Sequence, residues 1–200
     1  METLNYDIFA LINAPAAPSQ LMIEFAQFSA KWLLYLTGLW MVIMWIRSGR
    51  AMRTALLDSA FAAGLGLGLS QVISYFYYHP RPFEIKLGHQ FLEHVTESSF
   101  PSDHGVIMFA ITLALLMNRV SRLWGAFFIF ISLTVAWSRV YLGVHFPFDM
   151  AGAFVVGLFS VLVITGLPGI LDKFVYGPLL KIYDKTLNLA RIPHTVSPRS

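Results

Sequence analysis

The apolar positions of this chain gather into long, nearly unbroken runs. They do not show the alternation of a half-buried strand or the narrow stripe of a soluble helix. Runs over 21–46, 55–78, 123–143 and 150–171 each reach the roughly 20 residues that cross a bilayer as a helix. Glu24 and Lys31 interrupt the first, two helical turns apart, and Asp58 the second. The run 105–117 is short alone, but the "PSDH" ahead of it supplies a helix start. The pattern predicts an all-α bundle of five membrane-spanning helices. "METLNYDIFALINAP" predicts a short interfacial helix stopped by Pro15, and 172–200 a polar, partly amphipathic tail. The expected division is therefore a membrane domain over 1–171 and a cytoplasmic tail over 172–200.

Composition agrees with a polytopic membrane protein: 56% of residues are apolar and 12% charged, about half the usual charged share. The net charge of +3 is small, and no Lys/Arg cluster interleaved with aromatics offers a nucleic-acid surface. Cysteine is absent, which excludes disulfides, thiolate metal sites and a cysteine nucleophile. The N-terminus has no positive leader, and its apolar "IFALI" is too short for a secretory signal.

Charge sets the expected orientation. Arg47, Arg50, Arg53, Arg119, Arg122, Lys173, Lys181, Lys185, Arg191 and Arg199 share one face of a five-span bundle, ten of the 14 Lys/Arg residues. Arg81, Lys86 and Arg139 lie on the other, and Lys31 inside a span. The crowded face is therefore cytoplasmic. Five of the six histidines fall on the opposite, external face, and only His194 does not.

That external face also holds the chemistry. In "FPSDHG", Ser102 after Pro101 is a candidate N-cap, and a helix N-terminus is a ready anion site, with His104 in its first turn. In "SRVYLGVHFPFD", Pro147 suits a first helical turn, placing His145 at the start of the fifth span and Asp149 one turn in. A carboxylate there can fix the imidazole tautomer and leave the other nitrogen as a nucleophile. Arg139 can point its planar fork into the same space. Taken alone, each motif also reads as an ordinary capped helix or an interfacial ion pair. Arg81 of "HPRPF" adds a second guanidinium, and two arginines, two histidines, a capped helix start and one carboxylate on one face describe phosphoryl transfer.

These three ordered stretches, "RPF", "PSDH" and "SRVYLGVHFPFD", resemble the signatures of the type 2 phosphatidic acid phosphatase superfamily over about residues 55–170. The wording is most similar to its bacterial undecaprenyl-diphosphate phosphatase branch, the bacitracin-resistance type. The resemblance implies a multi-pass phosphatase of the bacterial cytoplasmic membrane, working at the external face on a polyprenyl diphosphate lipid in carrier recycling for cell-wall synthesis. It implies His145 as the nucleophile forming a phosphohistidine, Asp149 as its orienting partner and His104 as the group that protonates the leaving oxygen and later activates water. Arg81, Ser102, Arg139 and the backbone at Asp103 and His104 would hold the phosphate, with no metal or other cofactor. The motifs read the phosphate and not the tail. The same chemistry would therefore serve a relative acting on phosphatidylglycerophosphate, phosphatidate or lipid A. A transporter or lipid-binding protein fits less well, because its ionisable groups would gather near the bilayer midplane.

Two positions depart from the superfamily pattern. The lysine usual seven residues before the arginine is replaced by Ser74, and Lys86 is the nearest substitute. Asp103 stands where glycine is more common, which is electrostatically odd beside a phosphate unless the carboxylate turns away or pairs with an arginine. Gly64, Gly66 and Gly68 suit close helix packing. "SYFYYH" over 74–79 reads as an interfacial aromatic belt or a lipid entrance. His79, His89 and His94 lack ligand spacing on one helix and read as loop residues.

Overall fold

The computed structural model describes residues 2–189, and these are helical or irregular with no strand among them. The helices are α1 (Glu2–Ile12), α2 (Gln20–Arg47), α3 (Arg50–Phe76), α4 (Asp103–Met117), α5 (Arg122–Tyr141), α6 (Pro147–Thr165), α7 (Pro168–Leu171) and α8 (Gly177–Leu189). A single π-helical turn, Asp172–Tyr176, joins the last two. Four of them, α2, α3, α5 and α6, are long and apolar enough to cross a membrane. The expected third span, α4, has 15 residues. The last expected span is shorter than its apolar run, because Gly166 and Pro168 end α6 at Thr165.

The short helix is the central one. α4 packs against α3, α5 and α6, while α3 also packs on α6 and α2 on α5. Its residues are apolar all round, as burial on every side requires, and Val106, Met108, Ala110 and Leu115 are fully enclosed. Fifteen residues rise about 22 Å, against about 30 Å of hydrocarbon, so one end of α4 is recessed among its longer neighbours. That end is the N-terminus. Ser99 and Ser102, in the part of the α3–α4 loop that leads into it, are wholly buried, whereas beyond the other end Val120 is exposed, though Ser121 next to it is buried. The recess is where the histidines gather.

Some polar side chains inside the bundle pair with one another. Thr112 and Ser132 share a hydrogen bond of 2.6 Å between α4 and α5, and Asp58 in α3 accepts 2.9 Å from the Tyr176 hydroxyl. Of the three glycines expected to tighten packing, only Gly66 does so: a Cβ there would lie 2.8 Å from Val106 Cγ1. Gly64 and Gly68 have open space around them. Glu24 and Lys31 form no ion pair with each other; Glu24 accepts from Gln20, 2.9 Å away, and both residues are exposed.

The two ends of the chain depart most from expectation. α1 is more than an interfacial helix, because Phe9 is fully buried with Phe146 and Asn5 Oδ1 accepts from the Phe148 amide at 3.0 Å. The helix thus braces the start of α6. At the opposite end, the part of the expected tail that falls within the described residues is helical and docked. Tyr176 and Leu180 pack with Leu57, and Arg53 lies against the Tyr183 ring and 3.6 Å from Asp184. Arg191, His194 and Arg199 lie outside the described residues.

Candidate active site

Four pieces of chain converge on the recessed N-terminus of α4: the end of α3, the loop over 77–102, the end of α5 and the hairpin before α6. They enclose a cavity of about 560 Å³ lined in part by Arg81, His94, Glu97, Asp103, His104, Arg139 and His145. The hairpin is tight because Gly143 turns the chain at φ +75°, a conformation a Cβ would strain. Pro147 then starts α6.

The tautomer of His145 is fixed from both sides. Its Nδ1 lies 3.0 Å from the Ser99 carbonyl oxygen and 3.4 Å from Asp149 Oδ2. Its Nε2 lies 3.2 Å from Arg81 Nη1, and a guanidinium only donates. The proton is therefore on Nδ1, given to Ser99, and Nε2 carries the lone pair toward the cavity. The Ser99 carbonyl is nearer to Nδ1 than the carboxylate expected to orient the ring. Asp149 Oδ2 is instead anchored by the Phe146 amide at 2.7 Å and by a short hydrogen bond from the Ser99 hydroxyl. Burial, first of all, and then the nearby Arg139 and Arg81 charges hold His145 well below the usual histidine range. The ring is neutral at physiological pH.

The two guanidiniums differ. Arg81 is 3% exposed and saturated: it donates to the carbonyls of Glu97, Val144 and Ser98 and to the Glu97 carboxylate at 3.2 Å. Burial lowers its pKa from the ordinary value, while Glu97 and then Asp149 oppose that. Arg139 is also 3% exposed, yet its Nε and Nη2 have no hydrogen-bond partner among the described residues. A buried guanidinium without acceptors is costly, and this one faces the cavity.

Ser102 caps α4, its hydroxyl accepting from the Gly105 amide at 3.4 Å, so the free N–H groups of the first turn and the His104 side chain border the cavity. Asp103 is held from behind, accepting from Ser70 at 2.5 Å and Gln71 at 2.8 Å on α3. Two polar side chains of α3 thus tether the carboxylate that looked misplaced beside an anion. Ser74, in the place of the usual lysine, donates to the Phe100 carbonyl at 3.0 Å. Lys86 is exposed in the loop and does not line the cavity, and no lysine among the described residues does.

Sequence reasoning missed four neighbours of the site. Ser99 touches both His145 and Asp149, yet it is one serine in "TESSF" with no motif around it. Glu97 pairs with Arg81. His79 and His94 are loop residues, as expected, but His79 is buried beside Asp149 and His94 lines the cavity with its ring 6.1 Å from that of His145.

Residues 55–170 match the model of the PAP2 superfamily. A protein of Escherichia coli (strain K12) named "Putative undecaprenyl-diphosphatase YbjG" is 39% identical over 163 residues, 81% of each chain. Undecaprenyl-diphosphatase BcrC of Bacillus subtilis (strain 168) is 26% identical over 185 residues, 92% of this chain and 94% of the other. Among solved structures, Aquifex aeolicus LpxE aligns with a TM-score of 0.66 at 21% identity, covering 82% of this chain and 95% of its own. A PAP2-type phosphatidylglycerolphosphate phosphatase from Bacillus subtilis aligns at 0.57 and 19% identity, covering 86% and 88%.

Proposed function

The chain belongs to the PAP2 superfamily, and we propose that within it this enzyme is an undecaprenyl-diphosphate phosphatase. It hydrolyses the terminal phosphoanhydride to undecaprenyl phosphate and inorganic phosphate. The superfamily supports a hydrolase of phosphate esters or anhydrides, and the names of YbjG and BcrC favour the polyprenyl diphosphate. Carrier recycling and bacitracin resistance follow from that substrate.

The observation that carries the reading is Arg139: buried, unpartnered and facing a cavity shared with a second arginine, a helix N-terminus and a neutral histidine whose lone pair points inward. Such a site is preorganised for an anion that gains charge in the transition state. In the proposed reaction the terminal phosphate takes donors from Arg139, Arg81 and the first turn of α4, drawing the Arg81 N–H away from His145 Nε2. Nε2 attacks phosphorus, the P–O bond to the bridging oxygen breaks, and His104, which takes up a proton once the negative diphosphate is bound beside it, gives that proton to the oxygen as undecaprenyl phosphate leaves. Charge on the phosphorylated ring is balanced by Asp149 and the Ser99 carbonyl. His104 then takes a proton from water, which attacks phosphorus and frees phosphate and His145. No step requires a metal, since the arginines offset the developing charge. The site faces the external side of the cytoplasmic membrane, in keeping with the distribution of cations.

A panel of lipid phosphates tests the assignment. Purified protein in excess chelator should release phosphate from undecaprenyl diphosphate much faster than from phosphatidylglycerophosphate, phosphatidate or lipid A phosphate. A preference for any of these three would move the enzyme to another branch of the superfamily.

A further inference from the structure

His79 lies two residues before Arg81, outside the three superfamily signatures, and the residue is 8% exposed. Its Nδ1 is 3.6 Å from Asp149 Oδ1. Both atoms are buried, and neither has a hydrogen-bond partner among the described residues. Two unpartnered polar atoms thus face each other roughly half an ångström beyond bonding distance. The ring has little freedom to turn away: Phe146 meets it edge-on at 5.4 Å and Tyr77 stacks on it at 6.2 Å. On its outer side, Nε2 is 3.6 Å from Glu2 Oε1 of α1.

The backbone of the same residue acts on the other half of the carboxylate. The His79 carbonyl accepts from the Ser99 amide at 2.7 Å. The Ser99 hydroxyl in turn donates to Asp149 Oδ2, and its carbonyl accepts from His145 Nδ1. His79 therefore places the residue that fixes Oδ2 and the nucleophile, while its ring confronts Oδ1.

We infer that His79 is a positioning residue for the nucleophile, its Nδ1–H donating to Asp149 Oδ1 as positive charge develops on His145. The inference rests on the proposed role of His145. A carboxylate held at both oxygens keeps one orientation and one charge state while the imidazole gains a bond to phosphorus. With Oδ1 unpartnered, Asp149 can rotate or take up a proton, and its support for the phosphorylated ring weakens. The charged groups that meet this arrangement are Glu2 on α1, Arg81 and Glu84 on the loop, and Asp149 with His145 on the hairpin and α6.

The test uses three variants of the full chain, with undecaprenyl diphosphate as substrate. His79→Asn offers an amide N–H near the position of Nδ1, His79→Gln offers one near Nε2, and His79→Phe keeps the ring without a donor. His79→Asn should keep most of the parental kcat. His79→Gln and His79→Phe should lose roughly 10- to 100-fold in kcat, by analogy with the outer partners that orient metal-bound imidazoles. KM should stay close to the parental value, and phosphoenzyme formation should slow in parallel. Parental kcat in His79→Phe overturns the inference, as does equal loss in His79→Asn and His79→Gln at matched melting temperature. Should His79→Phe fail to fold, the two amide variants still decide at matched melting temperature, since both carry an amide N–H and place it differently. Failure of the parent to turn over undecaprenyl diphosphate would count against the proposed function instead.

Discussion

Arg139 and His145 owe their properties to burial, and each yields a measurable consequence. Replacing Arg139 with alanine removes a cavity-facing donor set and should lower kcat about 100- to 1,000-fold, the scale of one lost transition-state donor. Arg139→Lys should recover only part, because an ammonium cannot reproduce the planar fork. Equal activity in the lysine variant would show that charge alone suffices. His145 is held well below the usual histidine range by burial and then by Arg139 and Arg81. The unfolded chain therefore binds a proton below about pH 6.5 that the folded chain refuses, and stability falls as pH falls. The melting temperature should drop between about pH 7.5 and 5.5, and the drop should shrink in His145→Gln. A pH slope unchanged by that substitution would refute the assignment of a neutral, buried ring. The residues with strong local grammar, Arg81, Ser102, His104, Arg139, His145 and Asp149, were legible in the sequence because arginine, histidine and aspartate near a membrane demand partners. Ser99 and His79 were not, because their roles arise from a loop folding back over the hairpin, 46 and 70 positions away from their targets in the chain.

At the scale of elements, hydrophobic run length found the spans to within a few residues, except where it met a breaker. The apolar run over 150–171 continues past Gly166 and Pro168, but α6 does not. Length also flagged 105–117 as too short to span alone, and the reason lies in packing: a helix sheathed by three others need not match the bilayer. The recess that results is what shelters the site. The docking of the π-helical turn ahead of α8 was less legible, since nothing local says that the partner of Tyr176 is Asp58. That aspartate looked like a flaw in a span and is the acceptor for Tyr176. Tyr176→Phe leaves a half-buried carboxylate with one partner fewer and should cost about 1–3 kcal/mol, seen as a lower melting temperature with kcat unchanged. Loss of activity without loss of stability would show that the π-helical turn communicates with the site.

For the whole molecule, sidedness and reaction type are separate claims. The chain has no cysteine, so Val95→Cys in the exposed loop beside the cavity and Gly49→Cys between α2 and α3 report on opposite faces. An impermeant thiol reagent applied to intact spheroplasts should label the first and spare the second; the reverse would place the site inside. The central claim is that phosphate passes through His145 without a metal. It is tested most directly by incubating purified protein, in excess chelator, with undecaprenyl diphosphate labelled in its terminal phosphate and stopping the reaction in alkaline detergent. The account predicts a base-stable, acid-labile label on His145 in the parent, and neither label nor turnover in His145→Ala. Turnover persisting in His145→Ala, or strictly dependent on a divalent metal in the parent, would contradict it.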